Sequence, residues 1–148
     1  MERILVGVDG SMPLLKAVDF AADLASKYNA ELILLSVVPH LSPELDSAIE
    51  EYARLEHIPV PETELVLTTV DGVLDNARRK AGAKGITRIL AELSFGDPAQ
   101  EIITAARDRQ TDLIVVGSRG HGRLAGLLLG SVAQKIICLA HCPVVVVR

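Results

Sequence analysis

Asp112-Leu113-Ile114-Val115-Val116-Gly117-Ser118-Arg119-Gly120-His121-Gly122-Arg123, running on through Leu124-Ala125-Gly126-Leu127-Leu128-Leu129-Gly130-Ser131, is the stretch that decides the fold. Asp112 to Gly117 is a near-continuous apolar run, the pattern of a strand covered on both faces. Five glycines then fall between Gly117 and Ser131, and a helix carrying Val132, Ile136, Ile137 and Leu139 begins near Ser131. Buried strand, glycine-punctuated loop and helix, in that order, belong to a βαβ unit.

The flanking sequence repeats the alternation. Arg3 to Asp9 reads as the first strand and stops at Gly10-Ser11. From Met12 to Tyr28, Leu14, Leu15, Val18, Ala21, Ala22 and Ala25 recur at helical spacing, with Pro13 in the first turn where its missing donor costs little. Glu31 to Val38 is the second strand, stopped by Pro39. Glu44 to Leu55 looks helical before Pro59 and Pro61 break the chain. Asp71 to Ala83 resumes a helix, with Gly82 and Gly85 near its end. Ile86 to Leu93 is the third strand. Asp97-Pro98-Ala99-Gln100 supplies an N-cap, a first-turn proline and a capping-box glutamine for a helix to about Arg109. Pro143 to Val147 is the fifth strand. The expectation is an α/β fold: one domain over residues 1–148, with an open parallel sheet and helices on both faces.

Composition narrows the function. Nearly half of the 148 residues are apolar and only 3% are aromatic, which suits helices packed on a parallel sheet. A net charge of −4 without a basic stripe argues against nucleic acid. Arg78-Arg79-Lys80 reads as a solvated helix face. With no signal segment and no long apolar run, the expectation is a soluble, cytoplasmic protein that does not enter a membrane. Cys138, His141 and Cys142 fall short of the four ligands of a closed zinc site, so no metal centre is expected and both cysteines read as buried small hydrophobes.

The loop leaves the carboxyl end of one strand and enters the amino end of a helix, the edge where open α/β sheets bind ligands. A helix start offers unpaired N–H groups and a positive dipole end, which favour phosphate. Glycines let the backbone approach the anion and adopt positive φ, while Arg119 and Arg123 offer counter-charge. A glycine cluster also makes a plain surface loop, and its place on the ligand edge weighs against that alternative. A Walker A loop fails because Gly130 is followed by Ser131 rather than lysine. The dinucleotide fingerprint is formally present from Gly120 through Gly122 to Ala125, yet it follows the fourth strand and no acidic residue comes after it. A receiver domain fails because the third strand runs into Leu93-Ser94-Phe95 without an acceptor aspartate.

Gly117-x2-Gly120-x9-Gly130-Ser131, the opening ILVGVDGS and the closing CPVVVVR together resemble the universal stress proteins, and the resemblance spans the chain except His40 to Thr68. It implies a five-stranded parallel sheet in the order 3-2-1-4-5. It also implies a member that binds ATP, or ADP or AMP, with or without Mg²⁺. Asp9 would contact the ribose, and the backbone at Val37 and Val38 would face adenine. Gly117, Gly120, Gly130, Ser131 and Val132 would line the ribose and phosphates. Gly10, Ser11, Arg119, Gly122 and Arg123 complete the candidate site. Met12-Pro13 departs from the small polar residues expected after Ser11, making that side of the triphosphate less polar.

Singly, Asp9 also suits a turn or cap, though the ligand edge favours ribose. Ser131 suits an N-cap, a phosphate ligand or both. His121 is either a phosphate contact or a solvated loop residue. Phosphoryl transfer needs a second metal-binding carboxylate, which the loop lacks. The sequence therefore reads as a binding module whose nucleotide state alters an unidentified protein partner, with slow hydrolysis or autophosphorylation as the rival. In the implied order the valines of 143–147 lie at a sheet edge, and a homodimer through that strand is expected.

Overall fold

The computed structural model describes residues 1–9, 12–39, 62–118 and 129–148, excepting the side chains of 12–14 and 62–70. The described residues form β1 (Arg3–Val8), α1 (Met12–Tyr28), β2 (Glu31–Val38), α2 (Glu62–Gly82), β3 (Ile89–Phe95), α3 (Pro98–Asp108), β4 (Leu113–Gly117), α4 (Ser131–Leu139) and β5 (Val144–Val147). All sheet pairings are parallel, as the alternation of strands and helices predicts, and the strand order is β3-β2-β1-β4-β5, the order the family resemblance implies.

Alternation along the strands builds two cores. Ile4, Val6 and Val8 of β1 face α1 and α2, joining Leu32 and Leu34 of β2 and Leu113 and Val115 of β4. Leu5, Ile33, Ile114 and Val116 face α3 and α4. Ala17, Ala21, Ala22 and Ala25 are buried on α1, and so small a stripe lets the helix axis lie close to the sheet. Gly7 serves the other face in the same way. A Cβ there would stand 2.7 Å from Ile102 Cδ1, so the glycine makes room for the α3 isoleucine.

Charged groups pin the periphery. Lys80 pairs with Asp19 at 2.6 Å and Lys84 with Asp23 at 2.6 Å, tying α2 and the turn that follows it to α1. Thus Arg78 and Arg79 are exposed as expected, whereas Lys80 is half-buried and engaged. At the amino end of the sheet the Asp112 carboxylate accepts from the N–H groups of Glu2 (2.5 Å) and Arg3 (3.0 Å). Those bonds hold its pKa below the ordinary value of 3.8.

Several boundaries differ from the sequence reading. Helix α2 begins at Glu62, directly after Pro61, not at Asp71. Its first part, ETELVLTTV, is rich in β-branched residues and weak in helix propensity, so tertiary context overrides a local preference. Strand β3 is Ile89–Phe95 rather than Ile86 to Leu93. Gly85 turns the chain at φ +81°, and Ile86 packs on the α1/α2 core before the ladder begins. Cys138 is exposed rather than buried; Cys142 is half-buried, and burial raises its thiol pKa. Ile137 and Leu139 are exposed while Ala133 and Ile136 form the inner face of α4. The expected helix at Glu44 to Leu55 lies outside the described residues.

The start of α3 is as expected in one half only. The Asp97 carboxylate accepts from Gln100 N–H at 2.9 Å, but the Gln100 side chain donates to Thr104 Oγ1 at 3.3 Å instead of reaching back. The Gln100 N–H bond, with the Lys135 ammonium second, lowers the Asp97 pKa below 3.8. A lowered pKa in the folded state gives stability that is present above the ordinary value and lost as pH falls through the lowered one. Asp97→Ala is therefore expected to cost about 1 kcal/mol at neutral pH in urea unfolding. The difference from wild type closes in acid; a difference constant down to strong acid would rule out the ionised cap.

Candidate nucleotide site

All five strands end on one rim of the sheet, and the candidate residues were chosen for their places along it. Asp9 directly follows β1 and is exposed. Val37 and Val38, both half-buried, close β2 in register with Ser94 and Phe95, and Val38 C=O accepts from Gly96 N–H at 3.0 Å. Gly117 closes β4 in register with Val147. Gly10, Ser11, Arg119, Gly120, Gly122 and Arg123 lie outside the described residues, as does His121.

Ser118 joins β4 to the start of α4. Its N–H donates to Val147 C=O at 2.7 Å, extending the β4–β5 ladder by one residue. Its C=O accepts from Gly130 N–H at 2.8 Å, and Gly130 C=O in turn accepts from Gln134 N–H at 3.0 Å. The amino end of α4 is thereby fixed against the end of β4.

Gly130, not Ser131, is the N-cap. Its φ of −72° and ψ of 158° are extended, so the left-handed freedom expected of the loop glycines is not used at this position. Among the described residues no side chain caps the helix, and Ser131 at its first position is exposed. Val132 is half-buried against the α3/α4 core. A helix whose first N–H groups lack a side-chain cap presents donors and the positive end of its dipole at the ligand edge. The neighbouring α3 has its start closed by Asp97, which also pairs with Lys135 of α4 at 3.1 Å.

A separate hollow of about 400 Å³ lies between β3 and α3, lined in part by Leu35, Glu92, Ser94, Glu101 and Arg109. Its polar groups are mutually engaged: Ser94 Oγ donates to Glu101 Oε2 at 2.5 Å, and Glu92 pairs with Arg109. None of the candidate residues lines it. Ser118 was absent from the candidates. The alternation of DLIVVGS was the available signal, since it puts residue 118 in the inward register of Ile114 and Val116.

A family model described as the universal stress protein family matches residues 1–148. The chain belongs to the universal stress protein family. Universal stress protein YxiE of Bacillus subtilis (strain 168) is 36% identical over 152 residues, covering 99% of this chain and 98% of that protein. Universal stress protein UspA from Lactobacillus plantarum superposes with a TM-score of 0.80 at 25% identity, covering 99% of this chain and 97% of its own. A universal stress protein solved in complex with cAMP superposes with a TM-score of 0.71 at 28% identity, covering 99% and 96%. Among the described residues no helix is long and apolar enough to cross a membrane, and no three His, Cys, Asp or Glu side chains are grouped to hold a metal ion.

Proposed function

We propose that this universal stress protein is a stress-response or signalling module that binds an adenine nucleotide, ATP first, and exposes a different surface to a partner when loaded. The observation that carries the reading is the amino end of α4, which among the described residues has no side-chain cap and is held at the ligand edge by Ser118. The likeness to a relative in complex with cAMP supports the adenine base. In this reading the first N–H groups of α4, including those of Ser131 and Val132, receive phosphate. Asp9 accepts from the ribose hydroxyls. Main-chain groups at Val37 and Val38 meet the adenine edge, with Val38 C=O sharing its second lone pair. Gly10, Ser11, Gly117, Arg119, Gly120, Gly122 and Arg123 line the remainder, and Mg²⁺ accompanies the triphosphate.

The reading extends to a homodimer through β5. The two sheet edges differ in chemistry. Edge strand β3 carries Glu92, paired with Arg109 at the C-cap of α3, a charge that discourages strand addition. Edge strand β5 carries four half-buried valines and no charge. Pro143 and Val147 turn their carbonyls to β4, so alternation turns the main-chain groups of Val144 and Val146 outward. A second copy across a two-fold axis would satisfy them in a closed contact.

Calorimetric titration of ATP, ADP, AMP, adenosine and NAD⁺, with and without Mg²⁺, tests the site. Gly130→Val is expected to abolish nucleotide binding by filling the space at the helix start. The extended backbone tolerates valine, so the variant folds; unchanged affinity would remove α4 from the site. Asp9→Ala is expected to weaken ATP and adenosine equally, by about 1–2 kcal/mol, because both carry the ribose. A loss confined to ATP would assign Asp9 to phosphate or metal instead. Val146→Pro deletes one outward N–H while sparing the β4 ladder, and sedimentation is expected to show a monomer. A clean dimer in that variant would sink the β5 interface.

A further inference from the structure

Three hydroxyl side chains are buried among the described residues: Ser36, Thr111 and Ser118. Thr111 Oγ1 donates to Ala106 C=O at 3.2 Å. Like the Ser36 hydroxyl, which lies on the other face of the sheet, the Ser118 side chain, in a residue only 5% exposed, has no hydrogen-bond partner among the described residues. Folded proteins rarely leave a buried hydroxyl unpaired without a reason.

Backbone geometry fixes where that hydroxyl stands. Ile114 N–H donates to Pro143 C=O at 3.0 Å and Ser118 N–H to Val147 C=O at 2.7 Å, so the ladder continues through Ser118 with the same spacing. Strand alternation therefore puts the Ser118 side chain on the face of Ile114 and Val116. That is the face on which α4 packs through Ala133 and Ile136. The 2.8 Å bond from Gly130 N–H to Ser118 C=O holds the residue against the N-cap itself. Ser36 continues instead the β2 face of Leu32 and Leu34, toward α1 and α2.

We propose that the Ser118 hydroxyl donates to the phosphate received by the amino end of α4, making Ser118 an anion ligand outside the glycine pattern. The proposal rests on the nucleotide reading above and adds a donor to it. A serine side chain is short, so it serves only an anion seated directly against Gly130 and the first turn. A hydroxyl waiting for an anion is a cost in the free protein and a gain in the complex. Those opposite signs separate a ligand from a structural hydroxyl.

The test is Ser118→Ala, with Ser118→Cys as a near-isosteric second variant carrying only a weak donor. Calorimetry with ATP, AMP and adenosine is paired with thermal unfolding of the ligand-free proteins. The expected result is about a tenfold loss of affinity for ATP and AMP in Ser118→Ala. Adenosine affinity should be unchanged, and the ligand-free melting temperature equal to wild type or higher. Wild-type affinity for both phosphates in a folded variant would overturn the proposal. So would a lowered ligand-free melting temperature in both variants, which marks a structural hydroxyl, or a parallel loss for adenosine. A wild-type protein that binds none of the three compounds would overturn the nucleotide reading itself, a distinct outcome.

Discussion

β1 is paired on both edges and covered on both faces, and that confinement governs the rest of the molecule. Ile4, Leu5 and Val6 are fully buried, so beyond Arg3 at its start the strand presents no side chain to solvent. Neighbours β2 and β4 share its register and most of its burial. A parallel strand so enclosed can offer chemistry only where it ends. Connections that return each chain to the same end of the sheet gather those endings on two rims, and the two rims are treated differently.

The amino rim is closed by the protein's own charges. Asp112 takes the N–H groups of Glu2 and Arg3, Arg3 pairs with Glu31 at 3.4 Å, and its guanidinium donates to Arg109 C=O at 3.0 Å. Groups so engaged have little left for a ligand. The carboxyl rim has the opposite character. Among the described residues no side chain caps the start of α4, and the Ser118 hydroxyl beside it is buried without a partner. Polar capacity held in reserve at one rim, and spent at the other, is the physical contrast on which the functional reading depends.

Much of this was legible from residue patterns. Strands β1, β2 and β4 lie fully inside the sheet, where burial on both faces demands unbroken apolar runs, and their limits matched within one residue. Strand order followed from the family resemblance, not from periodicity. Legibility failed where local and tertiary forces disagree. Leu65 to Val70 favours extended structure locally but is helical, and Ile86 is apolar because it plugs the core, not because it pairs in the sheet. On α4 the apolar Ile137 and Leu139 lie outward, since a short helix buries few of its residues. At the site, glycine spacing directed attention to flexibility. Gly130 proved extended, and Ser118, which ties that position to the sheet, carried no glycine-like signal.

The bond from Gly130 N–H to Ser118 C=O also bears on how such a chain tolerates change. It closes a ring of main chain whose base belongs to the frame, because Ser118 is anchored to Val147 and Gly130 opens α4. The intervening residues are tethered at both ends without themselves setting the distance between the tethers. Closing a longer ring adds only slowly to the entropic cost, by about 0.6 kcal/mol for each doubling of its length. The bond that closes the ring therefore decides where α4 starts against the end of β4, at an entropic cost that hardly depends on the size of the ring.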